Sequence, residues 1–446
     1  MPKRACVGVR LFVLLSLLLI SSVSLFARNT QSPASPQANA VSTQSASTPI
    51  TEYTLPPDKM AKATALYHTG LVIFVSETIF GFVLLLAILY LRVAPRYRDI
   101  AERVSRNSFV QALVFVPLFV LTIDIISLPL AMYRHHLGLA YGLSVQGWAS
   151  WFADHGKAEL ITLLVEIVAV WFLFFVIRRS PQRWWFYFWL ASIPFIVFVV
   201  FVAPVVIDPI FNKFEPLEKT QPQLVEPLQA VAHRGGLFLP NSRMFEMKAS
   251  EKFTTYNAYV TGLGATKRIV VWDNTAKDMT IGETQFIFGH ELGHYVLKHI
   301  PKGLTFAIAM MFVGFWLARK VTLAFVARWG ARWGVRELGD YSAFPVLLLV
   351  LSIFSFVASP IDSAFSRHLE HDADIHGLEV IHGIVPNSPQ VAADAFQKLG
   401  EKSLDYPHPN PIYVFWTYSH PDTASRLQFA LHYRPWDEGK PNKFVK

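Results

Sequence analysis

The sequence predicts a multi-span all-α membrane protein joined to an α+β domain that stands outside the bilayer. Three observations carry this. Of 446 residues, 52% are hydrophobic and 14% aromatic while only 16% are charged, a balance far from that of a soluble chain. Six apolar runs, at about 69–91, 109–133, 159–178, 184–207, 304–326 and 343–363, each approach the ~20 residues a helix needs to cross the hydrocarbon. A polar insert, 208–303, separates the fourth run from the fifth, and a polar tail, 364–446, follows the sixth.

In chain order, Lys3, Arg4 and Arg10 precede an apolar run from Leu11 to Ala27, so 1–27 has the layout of a secretory signal or of a retained signal-anchor span. Residues 28–68 are rich in Ser, Thr, Pro and Gln and hold too few large apolar side chains for a core, which predicts a disordered linker. Four transmembrane helices follow over 69–207, then the first part of the α+β domain (208–303), a transmembrane hairpin (304–363) and the second part of the domain (364–446). Glu77, Asp124 and Glu166 fall inside spans. A carboxylate in lipid costs about 2.5–3.5 kcal/mol on insertion scales, so each should face protein or water. The single cysteine, Cys6, excludes a disulfide framework and a cysteine-held metal. The net charge of +8 comes largely from arginines in short loops between apolar runs. It therefore reads as a topology signal and not as a nucleic-acid surface; the lipid bilayer is the expected partner.

The stretch FIFGHELGHYVLKH, 286–299, lies in a helix predicted over 280–299. Positions i and i+4 share a helix face, so His290 and His294 can offer imidazole nitrogens to one tetrahedral ion. Glu291 points beside that ion, where a base can take a proton from an activated water. Gly289 and Gly293 give the bare backbone that close helix packing tolerates. A satisfied core histidine and a solvated glutamate are the bland alternatives. A third protein ligand is needed, and SRHLEHDADIHG supplies Glu370 with Asp374 one turn later, alongside the rival donors His368, His371 and His376. Further on, YSHPDTASRL holds His420, able to donate to an oxyanion, and Arg426, able to fix a carboxylate. Upstream, two strands are expected over 253–261 and 267–273 with Gly262 and Gly264 at the turn. Their edge could bind an extended peptide by strand addition, or the hairpin could simply support the helix.

With these residues in view, the chain resembles the CAAX prenyl protease type 1 family, integral-membrane zinc endopeptidases of the gluzincin kind. SLPLAMY (127–133), APVVIDPIFNKFEPLE (203–218), NAYVTG (257–262), KRIVVWD (267–273), GHELGHYVLKH (289–299), SPIDSAFSRHLEHDAD (359–374) and YSHPDTASRL (418–427) carry the resemblance. It implies a gluzincin-like zinc-metalloprotease domain with one Zn2+ per chain, held by His290, His294 and Glu370, with Glu291 as base. Asp374 would orient a ligand from behind, His420 and Arg426 would stabilise the transition state and substrate, and Asn257, Ala258 and Tyr259 would hold the substrate backbone. The implied fold has seven spans around a water-filled chamber closed by the zinc domain. Two departures stand out: Ser425 replaces the acid usual before the tail arginine, and the family's long acidic insertion before the zinc helix is absent, as in a bacterial member. The expected substrate is a peptide or protein, membrane-associated or lipidated, without prenylation being required. The alternatives are a membrane quality-control metalloprotease of the heat-shock type, and a transporter or receptor with a structural zinc. A structural site would be closed by four protein ligands and have no use for Glu291.

Loop charge addresses orientation. Arg92, Arg96, Arg98, Arg103 and Arg106, then Arg178, Arg179 and Arg183, then Arg319, Lys320, Arg328, Arg332 and Arg336 share one side, against Arg134 and Lys157 in the opposite short loop. The positive-inside rule therefore predicts an active site on the non-cytoplasmic, periplasmic face. Analogy with eukaryotic members of the family would put it on the cytosolic face.

Overall fold

Six helices among the described residues are long and apolar enough to cross a membrane, one for each apolar run. The computed structural model describes residues 49–262 and 267–446, with the side chains of 202–205 excepted. In chain order come α1 (Pro57–Tyr90), the short amphipathic α2 (Val93–Val104), α3 (Ser108–Ala140), α4 (Trp148–Arg179) and α5 (Trp184–Val206). The polar insert contributes α6 (Pro222–Arg234) and α7 (Ile281–Val296); α8 (His299–Trp333) and α9 (Phe344–Ile381) are the returning hairpin. The tail adds α10 (Ser388–Ser403), α11 (Pro411–Thr417) and α12 (Thr423–His432). The signal or anchor run Leu11–Ala27 lies outside the described residues, as does Gly264. The seventh span implied by the resemblance would fall on that run.

The spans are longer than their apolar runs. At about 1.5 Å per residue, the 34 residues of α1 and 38 of α9 far exceed a hydrocarbon core of about 30 Å, so both rise out of the bilayer. Hydropathy sees only the lipid-facing part. This corrects the linker expectation at its end: α1 starts at Pro57, a favoured first helical residue, and its first turns carry Asp58, Lys59 and Lys62. Just before it, Tyr53 and Leu55 are buried. The segment is pinned to the tail by Gln390 to the Ile50 carbonyl at 3.2 Å, Gln428 to the Thr51 carbonyl at 2.7 Å, and Gln397 to the Thr54 carbonyl at 2.6 Å. Glu77 pairs through both carboxylate oxygens with Arg134 on α3, and Glu166 is buried, so neither charge is offered to lipid.

Outside the bilayer a four-stranded sheet runs in the order β1 (Phe214–Pro216), β2 (Met244–Met247), β4 (Arg268–Trp272), β3 (Ala258–Thr261). β2 and β4 are parallel and β3 is antiparallel to β4, with Tyr259 opposite Val270. β3 is shorter than predicted because side chains intercept the preceding backbone. Asn274 donates to the Phe253 and Thr255 carbonyls, and Thr275 both receives from the Asn257 N–H and donates to its carbonyl. The sheet, α6 and α7 share one apolar core with α10 and α12, through Leu224, Leu228, Ile269, Phe288, Phe396 and Leu427.

α7 begins on a capping box in which Thr280 and Glu283 satisfy each other's backbone N–H. It ends at Val296, short of the predicted His299, because Lys298 turns into the left-handed region at φ 58°. His299 then opens α8.

Candidate metal centre

α7 and α9 meet at glycine. A Cβ on Gly293 would lie 2.9 Å from the His376 Cβ, and one on Gly289 would lie 2.7 Å from a Val380 methyl, so the two helices approach more closely than side chains would allow. That contact sets His290 and His294 against Glu370. The two imidazole Nε2 atoms are 3.2 Å apart. Glu370 Oε2 lies 3.3 Å from Nε2 of His290, and Oε1 lies 3.5 Å from Nε2 of His294.

These three side chains form a group whose donor atoms all fall within 4.8 Å of one another. The chemistry fits zinc. With ligand bonds of about 2.0–2.2 Å, neighbouring corners of a tetrahedron lie about 3.3–3.6 Å apart. Glu370 is 1% exposed and its Oε2 has no hydrogen-bond partner among the described residues, so a cation would satisfy an otherwise orphaned oxygen.

The surrounding side chains orient these donors. Asp374, one turn beyond Glu370, lies 2.8 Å from Nδ1 of His290, which leaves Nε2 for a metal. Arg426 from α12 grips Asp374 with Nε at 2.9 Å and Nη2 at 2.6 Å. Burial alone would push His290 down, but the adjoining carboxylates of Asp374 and Glu370 more than offset this and hold its pKa up at about 10. The same anions would draw a metal cation to the site. Nδ1 of His294 lies 3.0 Å from Nδ1 of His299.

Glu291 makes no hydrogen bond to another described residue, and burial raises its pKa above the usual glutamate range, the direction that improves a carboxylate as proton acceptor. His420 reaches in from the tail with Nε2 3.2 Å from Glu370 Oε1, while its Nδ1 lies 3.0 Å from the Ser419 hydroxyl. The loop carrying His420 is held by Arg367, whose Nη1 donates to the carbonyls of Tyr418 at 2.6 Å and Val414 at 3.2 Å. Sequence reasoning did not single out Arg367 or Ser419; the available signal was the position of Arg367 one helical turn before Glu370.

The rival donors stand apart. His376 donates to the Gly289 carbonyl at 2.9 Å, His371 packs on Phe429, and the exposed His368 lies 3.8 Å from Asp372. Ser425, where the resemblance implies an acid, is absorbed by the cap of α12: its N–H and hydroxyl both donate to Asp422.

β3 packs beside α7 and forms an edge of the sheet among the described residues. The Trp272 N–H donates to the Asn257 carbonyl at 3.0 Å, so residue 257 faces inward toward β4. By alternation along the strand, Tyr259 faces inward too, while Ala258 and Val260 present their N–H and C=O groups to the free edge. Of Asn257, Ala258 and Tyr259, then, only Ala258 offers backbone to a peptide, and Val260 joins it.

Comparison with known proteins agrees with this geometry. The profile of Peptidase family M48 matches residues 218–434, and that described as CAAX prenyl protease N-terminal, five membrane helices, matches 37–213. The uncharacterized metalloprotease YhfN of Bacillus subtilis (strain 168) is 32% identical over 338 residues, 76% of this chain and 77% of that protein. CAAX prenyl protease 1 of Saccharomyces cerevisiae is 26% identical over 344 residues, 73% of each chain. The crystal structure of S. mikatae Ste24p superposes with a TM-score of 0.74 at 21% identity, covering 96% of this chain and 99% of that one, a likeness of fold. With a His-His-Glu group set over membrane helices, and with these relatives, the chain belongs to peptidase family M48 and is a multi-pass membrane metalloendopeptidase.

Proposed function

We propose that the protein hydrolyses peptide bonds of membrane-associated polypeptides with one Zn2+ per chain, held by His290, His294 and Glu370. The observation that carries this reading is the convergence of two Nε2 atoms and one buried carboxylate, with Glu291 alongside and not among them. When bound there, zinc supplies a Lewis acid that activates water and polarises the scissile carbonyl. Glu291 accepts the proton of the attacking water and returns it to the leaving amine. His420 donates a hydrogen bond to the oxygen on which negative charge develops. Arg426 acts through Asp374, keeping His290 in its ligating tautomer. The peptide lies along β3, hydrogen-bonded to Ala258 and Val260. Several relatives are named CAAX prenyl proteases, which makes lipidated polypeptides one substrate class to include. The catalytic domain faces away from the cytoplasm. Its short loop carries few basic residues, and Arg134 there is paired with Glu77 while Lys157 lies 3.6 Å from Asp154.

Glu291→Gln tests the reading. The amide cannot accept a proton but is not a ligand, so hydrolysis should fall to background while bound zinc stays near one equivalent, measured by metal analysis of the purified protein. Loss of zinc together with activity would overturn the assignment of roles.

A further inference from the structure

The mechanism leaves one buried histidine unused. His299 is 1% exposed, its Nδ1 lies 3.0 Å from Nδ1 of His294, and the two rings meet at 76° with centroids 5.1 Å apart. Its Nε2 is buried without a hydrogen-bond partner among the described residues.

Sequence spacing alone would not place it there. Five positions after His294 on an unbroken helix, residue 299 would lie about 140° round the axis, facing away. The contact exists because the helix is broken. α7 ends at Val296, and Lys298 adopts φ 58° and ψ 39°, a left-handed conformation uncommon for a residue with a Cβ and one that concentrates at functional sites. The chain restarts as α8 at His299, which returns the ring to the side of α7 that carries His294.

We infer that His299 is a positioning residue for the metal centre: its Nδ1 accepts the Nδ1–H of His294 and so fixes the tautomer that presents Nε2 of His294 to zinc. This rests on the proposed role of His294 as a ligand. The two ligand histidines are then backed differently. Asp374 holds His290 with a carboxylate that is itself gripped by Arg426, whereas His294 is held by a ring acting as a neutral acceptor. Glu291, Glu370 and Asp374 already bring three carboxylates to the site, and a neutral acceptor orients the second imidazole without adding a fourth. Nε2 of His299, without a partner among the described residues, is the atom that carries the ring's proton in this arrangement.

Chelator competition on the purified full-length protein reads the inference directly. His299→Phe keeps an aromatic ring at the position but cannot accept a hydrogen bond, and it should weaken zinc binding about 10–100-fold. His299→Asn, which places an amide oxygen near the position of Nδ1, should recover most of that loss. The thermal midpoint of the zinc-free protein should be similar in both variants, since a packing defect would lower it whereas a lost orienting bond would not. Zinc affinity of H299F within twofold of the parent, or H299N as weak as H299F, would overturn it. Nitrogen-15 spectra of the unmutated, histidine-labelled protein supply a readout that needs no variant to fold: His294 should be protonated on Nδ1 and His299 on Nε2, and the reverse would sink the idea. Glu370→Ala separates this from the larger reading. If Glu370→Ala leaves zinc affinity intact, the ligand set itself is wrong; if it abolishes binding while H299F does not change it, only the role of His299 fails.

Discussion

Asp405 joins three parts of the molecule at one residue. Its carbonyl accepts from the Tyr53 hydroxyl at 2.8 Å and its carboxylate from the Thr423 hydroxyl at 2.6 Å, tying the segment before α1 to the first turn of the helix that carries Arg426. Burial lifts its pKa from 3.8 to about 6, against the opposing influence of Thr423, Arg426 and His420. The folded protein therefore binds this proton more tightly than the unfolded chain, so the contribution of Asp405 is most favourable below about pH 4 and declines as pH rises to about 6. Asp405→Asn should remove that decline. Thermal midpoints measured from about pH 4 to 7 check it: the parent should lose stability relative to the variant across this window, and parallel curves would refute the shift. At this scale the sequence was legible where the geometry is local. His290, Glu291 and His294 follow from one helical period. Glu370 stood among three rival histidines, because only the packing of α9 on α7 decides which donor lies against His290 and His294. His299 was illegible, since its place depends on a helix break at Lys298 that no periodicity announces.

At the scale of elements, β3 invites the sharpest test. Proline at 260 removes an outward N–H without touching the ladder to β4, so Val260→Pro should raise KM for an extended peptide about tenfold, the equivalent of one hydrogen bond. Tyr259→Pro instead removes an inward donor and should lower the folded yield. Equal peptide KM for the parent and a well-folded V260P, measured by initial rates, would move the substrate away from this edge. The elements were legible in kind more than in extent. Apolar runs located every described span but stopped at the lipid boundary, whereas α1 and α9 continue because their polar turns pack on the tail domain. The strand before 258 was lost to Asn274 and Thr275, whose side chains compete with a ladder for the same backbone groups. α7 had its start written in Thr280 and Glu283 and its end concealed at Lys298.

For the whole molecule, orientation is the open prediction. A reporter that works only outside the cytoplasm, fused after Lys446, should be active, and the same reporter fused within 97–106 should be silent; the reverse pattern would put the catalytic domain on the cytoplasmic side. On the basic side the charges are also built into structure. Arg98 is buried, with Nη1 2.5 Å from Asp340 and 3.0 Å from the Gly334 carbonyl, and Arg336 reaches Glu102 at 2.7 Å, which locks α2 to the turn between α8 and α9. That turn is the far end of a hairpin whose near end is the metal centre: α8 begins at His299, and α9 carries Glu370 and Asp374 without a break after it leaves the apolar region. On the α9 side no linker separates the apolar region from Glu370, whereas on the α8 side the left-handed Lys298 stands between the span and α7. Transmembrane helices answer a change in hydrocarbon thickness by tilting, and here a tilt of α9 would be carried unbroken to Glu370, while His290 and His294 sit on α7 beyond the break at Lys298. The candidate metal site is thus in series with the membrane through α9, so its affinity for a metal is expected to depend on acyl-chain length as well as on pH and ligand chemistry.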